Sequence, residues 1–198
     1  MVQTKNPYKM DKHRCGWCVG DPLYEAYHDE EWGVPLYDDD ALFEFLILET
    51  FQAGLSWITV LRKRENFRKA FDNFNYKKVA KYNQKKVDSL LQDASIIRNK
   101  LKINATITNA HAFMKIQEEF GSFSNYIWAF VDGKPIQNTF KDYRNAPANT
   151  PLSDAVSKDL KKRGFKFVGT TVIYAHMQAT GMVNDHETKC FRYKEVML

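Results

Sequence analysis

The stretch that most restricts the fold is Leu160–Thr171, which reads LKKRGFKFVGTT. A basic run ends at Gly164, and a second glycine, Gly169, precedes a new apolar pattern at helical spacing. The spacing predicts a helix started by Thr150-Pro151 or by Ser153 and ending near Arg163, then a tight hairpin and a second helix. Gly164 suits the left-handed backbone found just past a helix end. Gly169 allows close backbone approach and exposes the amides that open the second helix. Those amides and the helix dipole suit a phosphate. Lys161, Lys162, Arg163 and Lys166 place positive charge beside it. Two readings fit this pattern. One is a helix-hairpin-helix that grips a DNA strand, and the other is an ordinary helical hairpin with a solvated basic face.

The remainder shows no set of alternating strands, so the chain reads as all-α. Asp38–Asp40 can cap a helix whose apolar stripe runs through Leu42, Leu46 and Ala53. Glu49 falls on that stripe, where a carboxylate needs a partner or a function. It can cap a neighbouring helix or pair with an arginine, or it can serve a site. Gly54 interrupts the helix, and Ser56 starts another that carries Trp57, Val60, Arg64, Phe67 and Phe71. Ile103, Ile107, Ala110 and Met114 trace a long amphipathic helix, with His111 beside the stripe as a structural residue. Arg98, Lys100 and Lys102 form a second basic loop, either near DNA or simply solvated. Residues 136–150 lack periodicity and read as loop. His176 reads as a packed helix histidine.

Composition narrows the class. A chain of 198 residues with 44% hydrophobic content can bury a core as one domain, or as two lobes sharing it. A formal charge of +5 favours nucleic acid or an anionic surface only weakly. No apolar run is long enough for a membrane span and no apolar signal segment opens the chain, which points to the cytosol. Met1–Lys12 reads as a loose polar arm. Three cysteines do not make a secreted disulfide framework.

They do suggest a metal. The segment HRCGWCVGDPLYEAYHDEEWGVP offers Cys15, Cys18 and His28 near the start, and NDHETKCF offers His186 and Cys190 near the end. The tail pair is spaced by one helical turn. A tetrahedral zinc takes four such ligands, so the three head candidates cannot all join both tail residues. The C-x2-C spacing favours Cys18 over His28, and unrelated cysteines in a reducing cytosol are the plain alternative. The same head segment crowds Trp17, Tyr24, Tyr27 and Trp32 together. These aromatics either cover a core edge or line a pocket for a flat ring.

Four motifs in order, CGWCVGDPLYEAYHDEEWGVP, LETFQAGLSWITVLRKRENF, SKDLKKRGFKFVGTT and QATGMVNDH, resemble the 3-methyladenine DNA glycosylase I family. The resemblance runs from about Arg14 to Cys190. It implies an all-α helix-hairpin-helix glycosylase with two helical lobes around a DNA cleft. One lobe would take residues 1–37 with 182–198 and the other, carrying the hairpin, residues 38–181. The family's structural zinc would fall on Cys15, His28, His186 and Cys190, leaving Cys18 spare. Its base-pocket carboxylate would be Glu49, with Trp17, Tyr27 and Trp57 as pocket aromatics and Tyr24 nearby. The hairpin lobe would bind the damaged strand, and the hairpin's own glycines and charge make Arg163, Gly164, Lys166, Gly169 and Thr170 the expected contacts. The implied activity is hydrolysis of the N-glycosidic bond of 3-methyladenine in alkylated double-stranded DNA, leaving an abasic site. The implied form is a monomer away from membranes. No catalytic Asp follows Gly169 at the distance used by related glycosylases, and Asp185 is not assigned as the base. A non-catalytic DNA-binding module and a zinc-stabilised interaction domain are the other readings.

Overall fold

A computed structural model describes residues 12–197; most of the expected polar arm, 1–11, lies outside the described residues. The helices in chain order are α1 (Pro22–Glu30), α2 (Asp39–Gln52), α3 (Trp57–Leu61), α4 (Arg64–Ala70), α5 (Tyr76–Val79), α6 (Gln84–Gln92), α7 (Lys100–Phe120), α8 (Phe123–Trp128), α9 (Pro151–Lys162), α10 (Thr170–Ala179) and α11 (Phe191–Glu195). Two-residue strands β1 (Ile136–Gln137) and β2 (Val183–Asn184) pair in parallel, with Ile136 opposite Val183. The architecture is all-α, with two helical lobes. Strands of two residues are too short to leave a period in the sequence, so the pairing was not foreseeable from alternation.

The axis of the molecule is α2. Asp38 opens it by accepting the Ala41 amide at 2.9 Å. Leu42, Phe43, Phe45, Leu46, Ile47, Leu48 and Phe51 are all buried, so this helix is apolar nearly all round and packs against α3, α7, α8 and α10. Glu49 therefore has no route to bulk solvent along its own helix. Asp39 reaches out of the first turn and caps α8, accepting the Phe123 and Ser124 amides at 2.9 and 2.8 Å. At the other end, Lys102 of α7 donates to the carbonyls of Phe51 and Ala53 at 2.8 and 2.7 Å. A cation at a helix C-terminus offsets the dipole. Lys102 is thus neither solvated nor free for DNA, the two expectations for its basic loop, and its ammonium is shifted down by burial. His111, by contrast, is exposed rather than packed.

The hairpin forms as the glycine spacing predicts, with its first helix starting at Pro151, the earlier of the two expected starts. Thr150 and Ser153 make a reciprocal cap, the Ser153 amide donating to Thr150 Oγ1 at 3.1 Å and the Thr150 amide to Ser153 Oγ at 2.8 Å. Gly164 takes a φ of +95° and ends α9. Phe165 and Val168 bury inward, and Asn109 of α7 clamps the loop by accepting the Lys166 amide at 2.7 Å and donating to its carbonyl at 3.0 Å. The second left-handed residue is Phe167, at φ +56°, not Gly169. Gly169 has φ −61°, and a Cβ there would meet no atom within 4 Å. The fold does not demand this glycine; the space in front of the α10 amides is open.

The two ends of the described chain meet behind α10. The Gly33 amide donates to the Gln178 carbonyl at 3.1 Å, the Leu36 amide to Thr180 at 3.0 Å, and the Phe191 amide to His13 at 3.0 Å. Gly181, at φ +70°, lies where a Cβ would stand 2.4 Å from the Val34–Pro35 backbone. Only glycine permits that crossing.

Candidate metal centre and adjoining pocket

Cys15, His28, His186 and Cys190 come together with their donor atoms all within 4.8 Å of one another. Cys15 Sγ stands 3.5 Å from His186 Nδ1, and Cys190 Sγ stands 3.4 Å from His28 Nε2 and 3.7 Å from His186 Nδ1. A tetrahedron with Zn–S of about 2.3 Å and Zn–N of about 2.0–2.1 Å has S···N edges of about 3.6 Å. The donor set therefore fits zinc in size as well as chemistry. Each imidazole is oriented from behind. His28 Nδ1 donates to Asp29 Oδ1 at 2.9 Å, and Asp29 accepts a two-pronged contact from Arg14. His186 Nε2 donates to the Trp32 carbonyl at 3.1 Å. These bonds leave His28 Nε2 and His186 Nδ1 as the free lone pairs. Cys190 is drawn down by hydrogen bonding from Cys15 and the imidazoles, while Cys15 is pushed up by Cys190 and by burial. A buried thiolate among imidazoles is a set that a divalent cation completes. With four protein ligands the tetrahedron is full, so the centre is a structural zinc site, one per chain.

Cys18 is buried beside His28 but is not among the four converging donors. Its thiol donates to the Cys15 carbonyl at 3.2 Å. The inviting C-x2-C spacing thus selects the wrong donor, and His28 takes the place because the last turn of α1 presents its imidazole to the tail. Gly33 makes room for this arrangement, since a Cβ there would lie 2.9 Å from His186 Nε2.

The metal centre backs a pocket. Trp17 packs edge-on to His28 with ring centroids 5.4 Å apart, and Trp32 packs on His186 at 4.7 Å. Trp17 and Trp32 also line a cavity of about 220 Å³, room for one flat ring system. Tyr24 meets Trp17 at 4.7 Å, and Tyr27 meets Trp57 at 5.4 Å. Every aromatic that the resemblance places in the pocket lines this cavity, and so does Glu49. Glu49 is only 3% exposed, and its Oε2 has no hydrogen-bond partner. Burial without a partner raises its carboxyl to about 8. Trp57 Nε1, a donor, is likewise buried and unpartnered. Tyr24 is raised to about 12 by burial, with the charge of Glu49 adding to the shift. Unsatisfied polar atoms facing a cavity are costly in an empty protein and useful in one that closes on a ligand.

Sequence reasoning missed part of this wall. Gln52 follows Glu49 by three positions on α2, and Ala175 and Gln178 are spaced alike on α10, so helical periodicity carried that signal. Asp185 precedes a metal ligand, which is a positional hint. Tyr143 and Ala146 sit on the unperiodic 138–149 loop, where no sequence signal distinguished them.

On the hairpin, Lys161, Lys162 and Lys166 are exposed. Arg163 is tied inward instead. It pairs with Glu119 and Asp159, each at 2.6 Å, and its guanidinium lies 4.9 and 5.0 Å from the Phe120 and Tyr126 rings. Thr170 Oγ1 shares a hydrogen bond with Ser153 Oγ at 2.8 Å, which fixes the start of α10.

Comparison with known proteins gives a concordant result. The methyladenine glycosylase family model matches residues 17–193. The chain is 52% identical to DNA-3-methyladenine glycosylase 1 of Escherichia coli (strain K12), over 91% of this chain and 96% of that protein. It is 47% identical to DNA-3-methyladenine glycosylase of Haemophilus influenzae, over 89% and 96% of the respective chains. A crystal structure of 3-methyladenine DNA glycosylase I superposes with a TM-score of 0.88 at 52% identity, covering 90% of this chain and 98% of that one. A structure of the Staphylococcus aureus enzyme, determined for its 3-methyladenine recognition, superposes at 0.87 with 36% identity, covering 90% and 95%.

Proposed function

This chain belongs to the methyladenine glycosylase family, and from that premise we propose that it hydrolyses the N-glycosidic bond of 3-methyladenine in alkylated double-stranded DNA, leaving an abasic site. The observation that carries the reading is Glu49, a buried carboxyl with an unpartnered oxygen, set into an aromatic cavity the size of one base. Methylation at N3 makes the nucleobase cationic and a good leaving group, so the enzyme need not protonate it. Flipping the nucleotide costs a few kcal/mol, which contacts to the extruded base offset. Trp17, Tyr27 and Trp57 offer ring faces to a cation, each worth roughly 0.5–2 kcal/mol. Glu49 accepts from the exocyclic amine and opposes the positive charge. A non-catalytic DNA-binding module has no use for such an orphaned carboxyl.

No lysine lines the cavity among the described residues, so a Schiff base is not expected. Incubation with alkylated DNA should release free 3-methyladenine and leave abasic sites on an intact backbone, with no species trapped by borohydride. Absence of released base, or a trapped covalent adduct, would overturn the reading. Trp57→Ala should weaken lesion recognition by about tenfold while leaving affinity for undamaged DNA nearly unchanged, as gel-shift titrations with both duplexes would show. Equal losses on the two would remove Trp57 from base recognition.

The hairpin supplies the grip on the strand through the open amides before Thr170, the space at Gly164 and Gly169, and the Lys166 ammonium. Arg163 contributes residual charge and anchors α9 to α7. Lys166→Ala should lower non-specific DNA affinity and reduce the salt slope by about one counterion. An unchanged slope would place the DNA elsewhere. The zinc holds the pocket wall and takes no part in the chemistry. No described helix is long and apolar enough to cross a membrane, in keeping with the cytoplasmic location that belongs to this reading.

A further inference from the structure

The cavity has two acidic poles, and only Glu49 has been given a role. The other is Asp185, 2% exposed and part of the same wall. Its Oδ2 accepts from Tyr174 Oη at 2.7 Å and from Gln178 Nε2 at 2.8 Å, and its Oδ1 accepts from Asn138 Nδ2 at 2.6 Å. All three partners are donors, so Asp185 stands as an acceptor-only carboxylate. A carboxylate has about four acceptor sites, so one, on Oδ1, is left for whatever enters the cavity. The two carboxylates reach the cavity from different elements, Glu49 from α2 and Asp185 from the segment that follows β2. Three donors from β2's partner loop and from α10 hold the Asp185 side chain in one orientation, which is what a reacting group requires.

We propose that Asp185 is a catalytic residue that orients the attacking water and offsets positive charge on the sugar. This rests on the reading that Glu49 holds the base by its amine. In adenine the amine and the glycosidic nitrogen N9 lie at opposite ends of the ring system. A base anchored at Glu49 therefore presents its C1′–N9 bond toward the other pole. As that bond breaks, its electron pair stays on N9 and neutralises the methylated base, which departs as 3-methyladenine. Positive charge moves to C1′ and its ring oxygen, opposite the Asp185 carboxylate. The water held at the free Oδ1 acceptor forms the new C1′–O bond, and its proton passes to solvent.

The test is Asp185→Asn, which keeps the shape and removes the charge. Single-turnover release of 3-methyladenine from alkylated DNA should fall by about a hundredfold or more. Affinity for free 3-methyladenine, read by tryptophan fluorescence, should stay within about twofold, and zinc content should remain at one per chain. Release within about threefold of wild type would overturn the proposal, and so would release and base affinity falling by the same factor. If the variant fails to retain zinc, Tyr174→Phe decides instead. It keeps the carboxylate and removes one of its donors, so release should drop by about fivefold at unchanged base affinity; unchanged release would overturn the proposal. Failure of the broader reading looks different, since the wild-type protein would then release no base at all.

Discussion

Glu49→Gln should lower excision of 3-methyladenine by about tenfold to a hundredfold, the scale of one buried charge-assisted hydrogen bond of roughly 1.5–3 kcal/mol. The substitution preserves volume and some hydrogen bonding while removing the charge. The loss should be greater for the cationic lesion than for a neutral adenine analogue in the same cavity. Glu49→Ala should cost more, because the amine of the base would be left unpaired. The charge also predicts a pH signature. Folded Glu49 keeps its proton to about 8, against 4.5 for the ordinary carboxyl. The folded protein therefore binds more protons than the unfolded chain in that window, and stability falls as pH rises through it. Lesion binding favours the carboxylate, so affinity should rise with pH up to about 8 in the wild type. Both slopes should vanish in Glu49→Gln, read by urea unfolding and by lesion binding at several pH values. Wild-type excision and wild-type pH profiles in that variant would reduce Glu49 to a packing residue.

Cys190→Ala should release the zinc and destabilise the protein by more than about 4 kcal/mol, the range typical of a lost metal. The site joins two segments far apart in the chain, Cys15 and His28 with His186 and Cys190. Its loss should also weaken base binding, because Trp17 and Trp32 pack in T-shaped contacts on the ligand imidazoles. Metal analysis, urea unfolding and fluorescence titration with 3-methyladenine read the three effects. Full zinc retention at wild-type stability would rule out this ligand set. Cys18→Ala is the contrast. It removes a thiol that donates to a backbone carbonyl and lies beside His28 without joining the four donors, so metal should remain at one per chain, with a stability loss of about 1 kcal/mol.

Much of this protein is local and was therefore readable in the chain. Gly164 ends α9 because the residue past a helix end needs a left-handed backbone, and that need is met within a few residues. Asp38 caps α2, and Thr150 with Pro151 opens α9, for equally local reasons. Glu49 was conspicuous because a carboxylate interrupted an apolar stripe.

The tertiary structure decided what depends on contacts between distant residues. Spacing alone preferred Cys18 to His28 as a metal ligand; only the docking of the tail against α1 shows which donor faces His186 and Cys190. A lysine reads the same in sequence whether it meets phosphate or a helix end, and Lys102 spans from α7 to close α2. Arg163 looked free for DNA until Glu119 and Asp159 were brought beside it. Asp185 shows the same limit most clearly. The chain shows a carboxylate in a tail, and the one-turn spacing of Tyr174 and Gln178 puts two of its donors on one face of α10, but nothing along the chain says that the tail carboxylate meets that face or Asn138. Sequence by itself determined the helices, their ends and the kinds of chemistry available. Tertiary structure determined which of those groups lose their water together, because desolvation and hydrogen bonding act through space and not along the chain.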